Sequence, residues 1–166
     1  QALEYKSILQ TSGVIVDRND RKKIIKQLII SSSEKLNSSP DLPINLLEEL
    51  TDLVESPSLI QGKIDSIFLD LPPEVLTTVM KVHQRYVPLF LQSAKLDPLI
   101  LHSRNTLLPS FLCICNSLKT SEDIVRVGNE RVLKARLSDA EFFFKSDLAK
   151  SSSERAKNLE KVVFAD

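Results

Sequence analysis

The sequence has few of the residues that most enzymatic and metal-binding motifs require. Three glycines in 166 residues nearly exclude a glycine-rich nucleotide loop. None of the spacings G-x-x-x-x-G-K-[ST], G-x-G-x-x-G, G-x-S-x-G or H-E-x-x-H occurs. Two histidines and two cysteines form no zinc pattern. The sequence therefore predicts neither a conventional catalytic motif nor a metal centre.

Charge and hydropathy argue against two further classes of protein. The 22 basic side chains equal the 22 acidic ones, whereas a self-sufficient nucleic-acid binder is usually strongly basic. No apolar run approaches the roughly 18 to 20 residues of a membrane span, and the first residues lack a signal-peptide core. We expect a soluble, intracellular protein with no membrane contact, in which any RNA contact comes from a local patch.

With 42% hydrophobic residues the chain can bury one core of ordinary size. Helical spacing of apolar residues predicts helices over 17–37, 44–55 and 74–84, the last opened by two prolines. Asp20 is the expected N-cap of the first helix. Extended segments are predicted at 7–16 and 111–115, with a loop at 38–43. The expected apolar faces are Ile24, Ile25, Leu28, Ile29 and Leu36 in the first helix and Leu46, Leu47, Leu50 and Leu53 in the second.

Basic side chains crowd the start of the first predicted helix. A basic helix can contact a phosphate backbone, but without interleaved aromatic residues an ordinary solvated face is the favoured interpretation. The residues concerned are Arg18, Arg21, Lys22, Lys23 and Lys26.

A long amphipathic helix is predicted from Asn129 onward, with Gly128 and Asn129 as its start. Of the consecutive residues Phe142, Phe143 and Phe144, two are expected to enter the core and one to cover a neighbouring domain. Arg131 or Arg136 could bind RNA phosphate. Their spacing favours ordinary helix pairs instead, Glu130 with Lys134 and Arg136 with Asp139. The expected apolar face comprises Val132, Leu133, Leu137, Ala140, Phe143 and Phe144.

Two small groups of residues could carry chemistry. Cys113 and Cys115 face the same side of a predicted strand, which disfavours a disulfide and indicates small buried side chains. His83, Arg85 and Tyr86 meet at the end of the third helix. They could act as general acid and anion clamp, but with no neighbouring nucleophile or carboxylate pair a hydrogen-bonded structural junction is favoured.

Three segments carry a resemblance to a known family. They are GNERVLKARLSDAEFFFKSDL from Gly128, MKVHQRYVPLF from Met80 and LLEELTDLVESPSLIQGKIDSIFLDLPPEVL from Leu46. In order and composition they resemble the bacterial-type glycyl-tRNA synthetase beta subunit. The chain begins with Gln1 rather than Met, so we expect an internal fragment, either of a separate beta subunit or of a fused alpha-beta chain. Residues 1–166 would form one α/β-type domain leading towards a following helical domain.

The resemblance implies an α+β fold with a mixed sheet flanked by helices and a long C-terminal amphipathic helix. This fold would be similar to the editing-type domain of the phenylalanyl-tRNA synthetase beta subunit. It also implies a non-catalytic segment of glycine–tRNA ligase, contributing to tRNA binding and subunit architecture. The whole enzyme would use ATP and magnesium, although no cofactor is expected in this fragment.

The implied partners are the alpha subunit, or alpha half, and tRNA(Gly). The implied location is the bacterial cytoplasm, or alternatively a chloroplast or mitochondrion. The alternative function is a stand-alone tRNA-editing or interaction module acting through a pocket around His83. No catalytic or metal residue is assigned. The candidates for tRNA or interdomain contact are His83, Arg85, Tyr86, Asn129, Arg131 and Arg136.

Overall fold

The structure, a computed structural model, describes residues 14–92, 106–116 and 121–163, with side chains throughout except at 155 and 158–163. Within these ranges four α-helices and four strands alternate irregularly, with a 3₁₀ turn at Ser66–Phe68 and a π-helical turn at Val79–His83. The helices are α1 Arg18–Lys35, α2 Ile44–Leu53, α3 Pro73–Thr78 and α4 Glu122–Val163. The strands are β1 Ser38–Pro40, β2 Pro57–Lys63, β3 Val87–Leu91 and β4 Leu107–Asn116.

The four strands form one sheet in the order β1-β3-β4-β2. Every described pairing is antiparallel, so the predicted α+β class is confirmed while the prediction of a mixed sheet is wrong. The central strand β4 pairs along its length with β2, placing Ile60 opposite Cys113 and Gly62 opposite Phe111. Strands β1 and β2 are the two edges of the sheet.

Hydrophobic residues cover both faces of the sheet, which gives a three-layer arrangement. Alternate residues of β4 point to opposite faces, so Leu112 and Ile114 meet one layer and Phe111 and Cys113 the other. The first layer is α1 and α2, contributing Ile25, Ile29, Leu46, Leu47, Leu50 and Val54. The second is the segment from the 3₁₀ turn to the π-helical turn together with α4, contributing Phe68, Leu71, Leu76, Val79, Met80, Leu133 and Leu137.

Helices α1 and α2 confirm the helical spacing of buried apolar residues. The N-cap of α1 and two residues of the predicted apolar faces differ from the prediction. Asp17, not Asp20, caps α1, since its carboxylate accepts a hydrogen bond from the Asp20 N–H at 2.9 Å. Ile24 is 39% exposed and Leu53 is 55% exposed, so neither belongs to the buried face. Leu53 is the last residue of α2, where the chain turns away from the core.

Two segments differ from the prediction in secondary structure. The predicted loop at 38–43 begins with the short strand β1, because Ser38, Ser39 and Pro40 pair with the end of β3. The predicted strand at 7–16 lies mostly outside the described residues, and its described end at 14–16 forms no strand. The strand predicted at 111–115 is confirmed as part of the longer β4.

Gly62 makes room for an aromatic stack inside the sheet. A Cβ atom added at Gly62 would lie 2.3 Å from the Cζ atom of Phe111, so the ring covers the glycine. On its other side, Phe111 stacks on Tyr86 with ring centroids 4.6 Å apart and planes at 15°. The absence of a side chain at position 62 is what lets this ring enter the core.

The long helix α4 begins earlier than the sequence predicts. It includes Gly128 and Asn129, because the Val125 N–H already bonds to the Ser121 carbonyl and the helix starts at Glu122. Glycine costs a helix only about 1 kcal/mol relative to alanine, which 42 residues of continuous helix tolerate. At 1.5 Å per residue α4 is about 63 Å long.

Only part of the predicted apolar face of α4 is buried. Leu133 and Leu137 are fully covered by the second core layer, and Ala140 and Phe144 pack partly against it. Val132 is 46% exposed and Phe143 is 66% exposed, and Phe142 is exposed as well. One phenylalanine of the three, not two, therefore packs on the core. Consecutive residues of a helix point about 100° apart, and only Phe144 continues the face of Leu133, Leu137 and Ala140.

Candidate functional site

His83, Arg85 and Tyr86 are close in sequence but their side chains take different directions. Tyr86 is buried against Phe111, whereas His83 and Arg85 are exposed. The Arg85 guanidinium donates to the Glu49 carboxylate at 2.8 Å. Burial raises the pKa of Tyr86 to about 12, so its phenol stays protonated and apolar contacts hold it in place.

The backbone explains this divergence. The α3 helix continues as a π-helical turn, after which the Tyr86 N–H bonds to the Met80 carbonyl at 2.8 Å. Arg85 adopts a left-handed conformation with φ of 56°, which is uncommon for a side-chain-bearing residue and turns the chain into β3. His83 is exposed at the end of this turn, so the geometry adds no support for an editing pocket built around it.

Asn129 faces the sheet. Its side-chain amide donates to the Cys113 sulfur at 3.4 Å, which ties α4 to β4. Burial raises the pKa of the Cys113 thiol to about 12, with a further increase from Cys115 that the Asn129 hydrogen bond partly offsets. Both cysteines are free and lie on one side of β4, as the alternation predicted.

Arg131 and Arg136 are exposed on α4, and neither forms an ion pair with any described residue. Five residues correspond to about 140° around a helix, so the two guanidinium groups serve different surfaces. Arg136 lies on the same side as the exposed apolar residues Val132 and Phe143. Arg131 lies on the side of Lys134 and faces a cleft towards β2.

The helix pairs predicted from spacing are wrong. Lys134 pairs with Asp65, in the loop after β2, at 3.2 Å and not with Glu130. Glu130 accepts a hydrogen bond from the backbone N–H of Lys63 at 3.0 Å. The pKa of the Asp65 carboxyl is lowered below its usual range. The larger cause is the hydrogen bond from the Ile67 N–H, and the smaller one is the hydrogen bond from Lys134. For Lys134, a contact with the loop after β2 replaces the predicted contact within the helix, whereas Glu130 also pairs within the helix with Arg126 at 4.0 Å.

These contacts line a groove between the free edge of β2 and the first turns of α4, hereafter the edge groove. It consists of two adjoining clefts of about 480 and 560 Å³ that share Lys63 and Glu130. Sequence reasoning missed it because β2 and α4 are far apart in the chain. The first cleft is lined by Leu59, Ile60, Gln61, Lys63, Glu122, Asp123, Arg126 and Glu130. The second is lined by the two shared residues together with Ile64, Asp65, Val127, Arg131 and Lys134.

Two of the five basic side chains at the start of α1 form ion pairs with α2. Arg18 pairs with both Asp52 and Glu48, and Lys22 also pairs with Glu48. These hydrogen bonds lower the pKa of both carboxyls. Arg21 donates to the backbone carbonyls of Thr51 and Ile15. These contacts favour a structural role for Arg18, Arg21 and Lys22. Lys23 and Lys26 are exposed to solvent.

A separate cleft of about 610 Å³ lies between β1 and the α3 helix. Its apolar wall includes Phe90, and one end is closed by an ion pair of 2.7 Å between Lys81 and Asp41. None of the six predicted contact residues lines it.

The described residues contain neither a metal-binding cluster nor a membrane-spanning helix. No group of three or more histidine, cysteine, aspartate or glutamate side chains there could hold a metal ion. Among the helices in those ranges, none has the length and apolar character needed to cross a membrane.

Comparisons with known proteins agree on one family. The sequence model described as glycyl-tRNA synthetase beta subunit matches residues 1–166. The glycine–tRNA ligase beta subunit of Trichodesmium erythraeum is 41% identical over 164 residues, which are 99% of this chain and 22% of that protein. That of Synechocystis is 38% identical over 162 residues, or 98% and 21% of the two chains. That of Natranaerobius thermophilus is 36% identical over 165 residues, or 99% and 22%. The chain spans about a fifth of the length of these relatives.

Proposed function

The chain belongs to the glycyl-tRNA synthetase beta-subunit family, and on this premise we propose that it is a non-catalytic segment of glycine–tRNA ligase. In the proposed reaction, ATP, glycine and tRNA(Gly) give glycyl-tRNA(Gly), AMP and diphosphate. The segment contributes to subunit architecture and to tRNA binding. The observation that carries the proposal is the outward face of α4. This face is exposed and partly apolar, and it carries two arginines that form no ion pair with a residue in the described ranges.

The architectural role rests on the apolar residues that α4 leaves uncovered. Phe142 is 68% exposed and Phe143 is 66% exposed, with their rings in edge contact at 5.9 Å. Val132 and Arg136 continue the Phe143 side of the helix. Aromatic residues and arginine are enriched at protein interfaces, and neighbouring exposed apolar side chains mark such sites. We assign this face to contact with another part of the enzyme.

The tRNA role rests on Arg131. It is exposed and unpaired within the described ranges, and it shares a cleft with Lys63 and Lys134. Arginine matches phosphate geometry, and each phosphate contact adds a salt-dependent increment to affinity. Because the chain has no net charge, this contact is local and contributes only part of the affinity for tRNA. His83 and Arg85 are contact candidates on a separate surface, and the Arg85 charge is already paired with Glu49.

The remaining components belong to the whole enzyme in this proposal. Amino-acid activation with ATP and magnesium takes place in the alpha subunit or alpha half. The enzyme acts in the bacterial cytoplasm, or alternatively in an organelle.

The test separates assembly from activation. Phe143→Ser, introduced into a beta subunit that contains this segment, is expected to weaken association with the rest of the enzyme in sedimentation velocity. Leu148→Ser, a second exposed apolar residue of α4, is the matched control for loss of surface hydrophobicity. Glycine-dependent ATP–diphosphate exchange by the assembled enzyme should be unchanged in Arg131→Gln. A large loss of exchange activity in that variant would contradict a non-catalytic role.

A further inference from the structure

Within the described ranges, the edge of β2 that faces away from β4 presents unpaired backbone groups to the edge groove. In an antiparallel ladder, successive residues of an edge strand point their N–H and C=O groups alternately towards and away from the partner strand. The Ile64 N–H bonds to Pro109, which continues the β2–β4 ladder, whereas the Lys63 N–H points outward to Glu130. By the same alternation, the N–H and C=O groups of Leu59 and Gln61 point outward.

These outward groups of Leu59 and Gln61 have no hydrogen-bond partner in the described part of the chain. Proteins usually block a free sheet edge, because it can template pairing with another strand. Here the Glu130 carboxylate blocks only the Lys63 end. The rest of the edge opens into the cleft of about 480 Å³.

The charges of the edge groove indicate what would fit it. At the Leu59 end, Glu122 and Asp123 add negative charge, which Arg126 offsets only in part through its 3.0 Å pair with Asp123. At the other end, Lys63 and Arg131 add positive charge. Opposite charges therefore lie at the two ends of the β2 edge, which favours a polypeptide strand that carries both signs of charge.

We propose that the edge of β2 binds an extended strand of a partner polypeptide by backbone pairing with Leu59 and Gln61. The bound strand carries a basic side chain beside Glu122 and Asp123 and an acidic side chain beside Lys63. This is strand addition to a sheet edge, in which main-chain hydrogen bonds give affinity and flanking charges give direction. The proposal rests on the outward backbone groups of the sheet edge, and it shares Lys63 with the cleft that is assigned above to tRNA.

The test uses this chain and a synthetic peptide of alternating Val and Thr with Lys at one end and Glu at the other. Amide NMR titration and hydrogen exchange are expected to show the largest changes at Leu59 and Gln61. A peptide N-methylated along one edge should still bind, because pairing uses the other edge. A peptide N-methylated along both edges should bind at least about tenfold more weakly, the factor expected when a hydrogen bond is lost without replacement.

Gln61→Pro removes one outward N–H at a position where an edge strand tolerates proline, and Gln61→Ala keeps that N–H. The proline variant should bind the peptide about tenfold more weakly, and the alanine variant should bind like the unchanged chain. If the proline variant fails to fold, the two methylated peptides decide the question. The proposal is overturned if methylation of both edges has no effect, if Leu59 and Gln61 show no change, or if the edge instead pairs with a second copy of the chain.

Discussion

Glu130 of α4 accepts a hydrogen bond from the backbone N–H of Lys63 at 3.0 Å, although the two residues are 67 positions apart. A side chain of the long helix therefore stands where another strand would otherwise pair. Together with the Asn129–Cys113 contact, it fixes the start of α4 against the sheet. Both residues that fasten the helix lie within the segment GNERVLKARL.

Glu130→Ala is expected to destabilise the fold by about 0.5 to 1 kcal/mol, because water can only partly replace the lost acceptor. Glu130→Gln keeps a carbonyl oxygen in place and should have a smaller effect. Chemical denaturation gives the free energy of unfolding, and hydrogen exchange reports the Lys63 amide directly. If the Lys63 amide exchanged at the same rate in Glu130→Ala as in the unchanged chain, this hydrogen bond would not protect the edge of β2.

Gly62→Ala is expected to destabilise the protein by about 1 to 3 kcal/mol, because its Cβ would overlap the Phe111 ring at 2.3 Å. Gly128→Ala is the matched control, since nothing lies within 4 Å of its added Cβ and it sits inside α4. That control should stabilise the helix by about 0.5 to 1 kcal/mol. Thermal and denaturant unfolding of both variants would reveal the opposite signs, and matching signs would refute the account.

Cys113 is expected to resist alkylation in the native protein at about pH 8, where a free thiol is partly ionised. Its pKa of about 12, raised by burial, leaves almost no thiolate. Cys115 is only partly buried and should react first, although burial raises its pKa too. Mass spectrometry after iodoacetamide treatment should show one adduct before the second, located by peptide mapping. The denatured chain, as a control, should take both rapidly.

Asp65 is expected to make the protein more sensitive to acid. Its folded-state pKa is lowered by the Ile67 N–H and by Lys134, whereas the unfolded value is about 3.9. Its stabilising contribution is therefore present above about pH 4 and is lost as the pH falls through the lowered value. Unfolding measured from neutral to acidic pH should show a smaller acid-induced loss in Asp65→Asn. Asp147→Asn, on the exposed part of α4, should follow the unchanged chain, and identical profiles for both variants would count against this role.

The sequence predicts elements whose signal is local. The spacing of Leu46, Leu47 and Leu50 identifies the buried face of α2, because one helix side faces one core. The low helix propensity of glycine predicts a helix boundary at Gly128. In the structure, the turns before it continue into the same helix, and open space surrounds the glycine.

The candidate surfaces depend on contacts that spacing does not reveal. Lys134 has an acidic residue four positions away, yet it pairs with Asp65, which is 69 positions distant. An i, i+4 pair on a helix contributes only about 0.2 to 0.5 kcal/mol, so a tertiary contact easily replaces it. The sequence identifies Arg131 and Arg136 as cations. It does not reveal that Arg136 has exposed apolar neighbours on its side of α4.

The most direct test of the account measures how tightly the chain binds tRNA(Gly) and a non-cognate tRNA over a salt series. We expect binding of tRNA(Gly) to weaken as salt rises, and Arg131→Gln to reduce the slope of log affinity against log salt by about 1. Arg18→Gln, which removes an arginine already paired with Asp52 and Glu48, should leave that slope nearly unchanged. No binding at moderate salt, or equal effects of the two substitutions, would contradict a tRNA contact at Arg131.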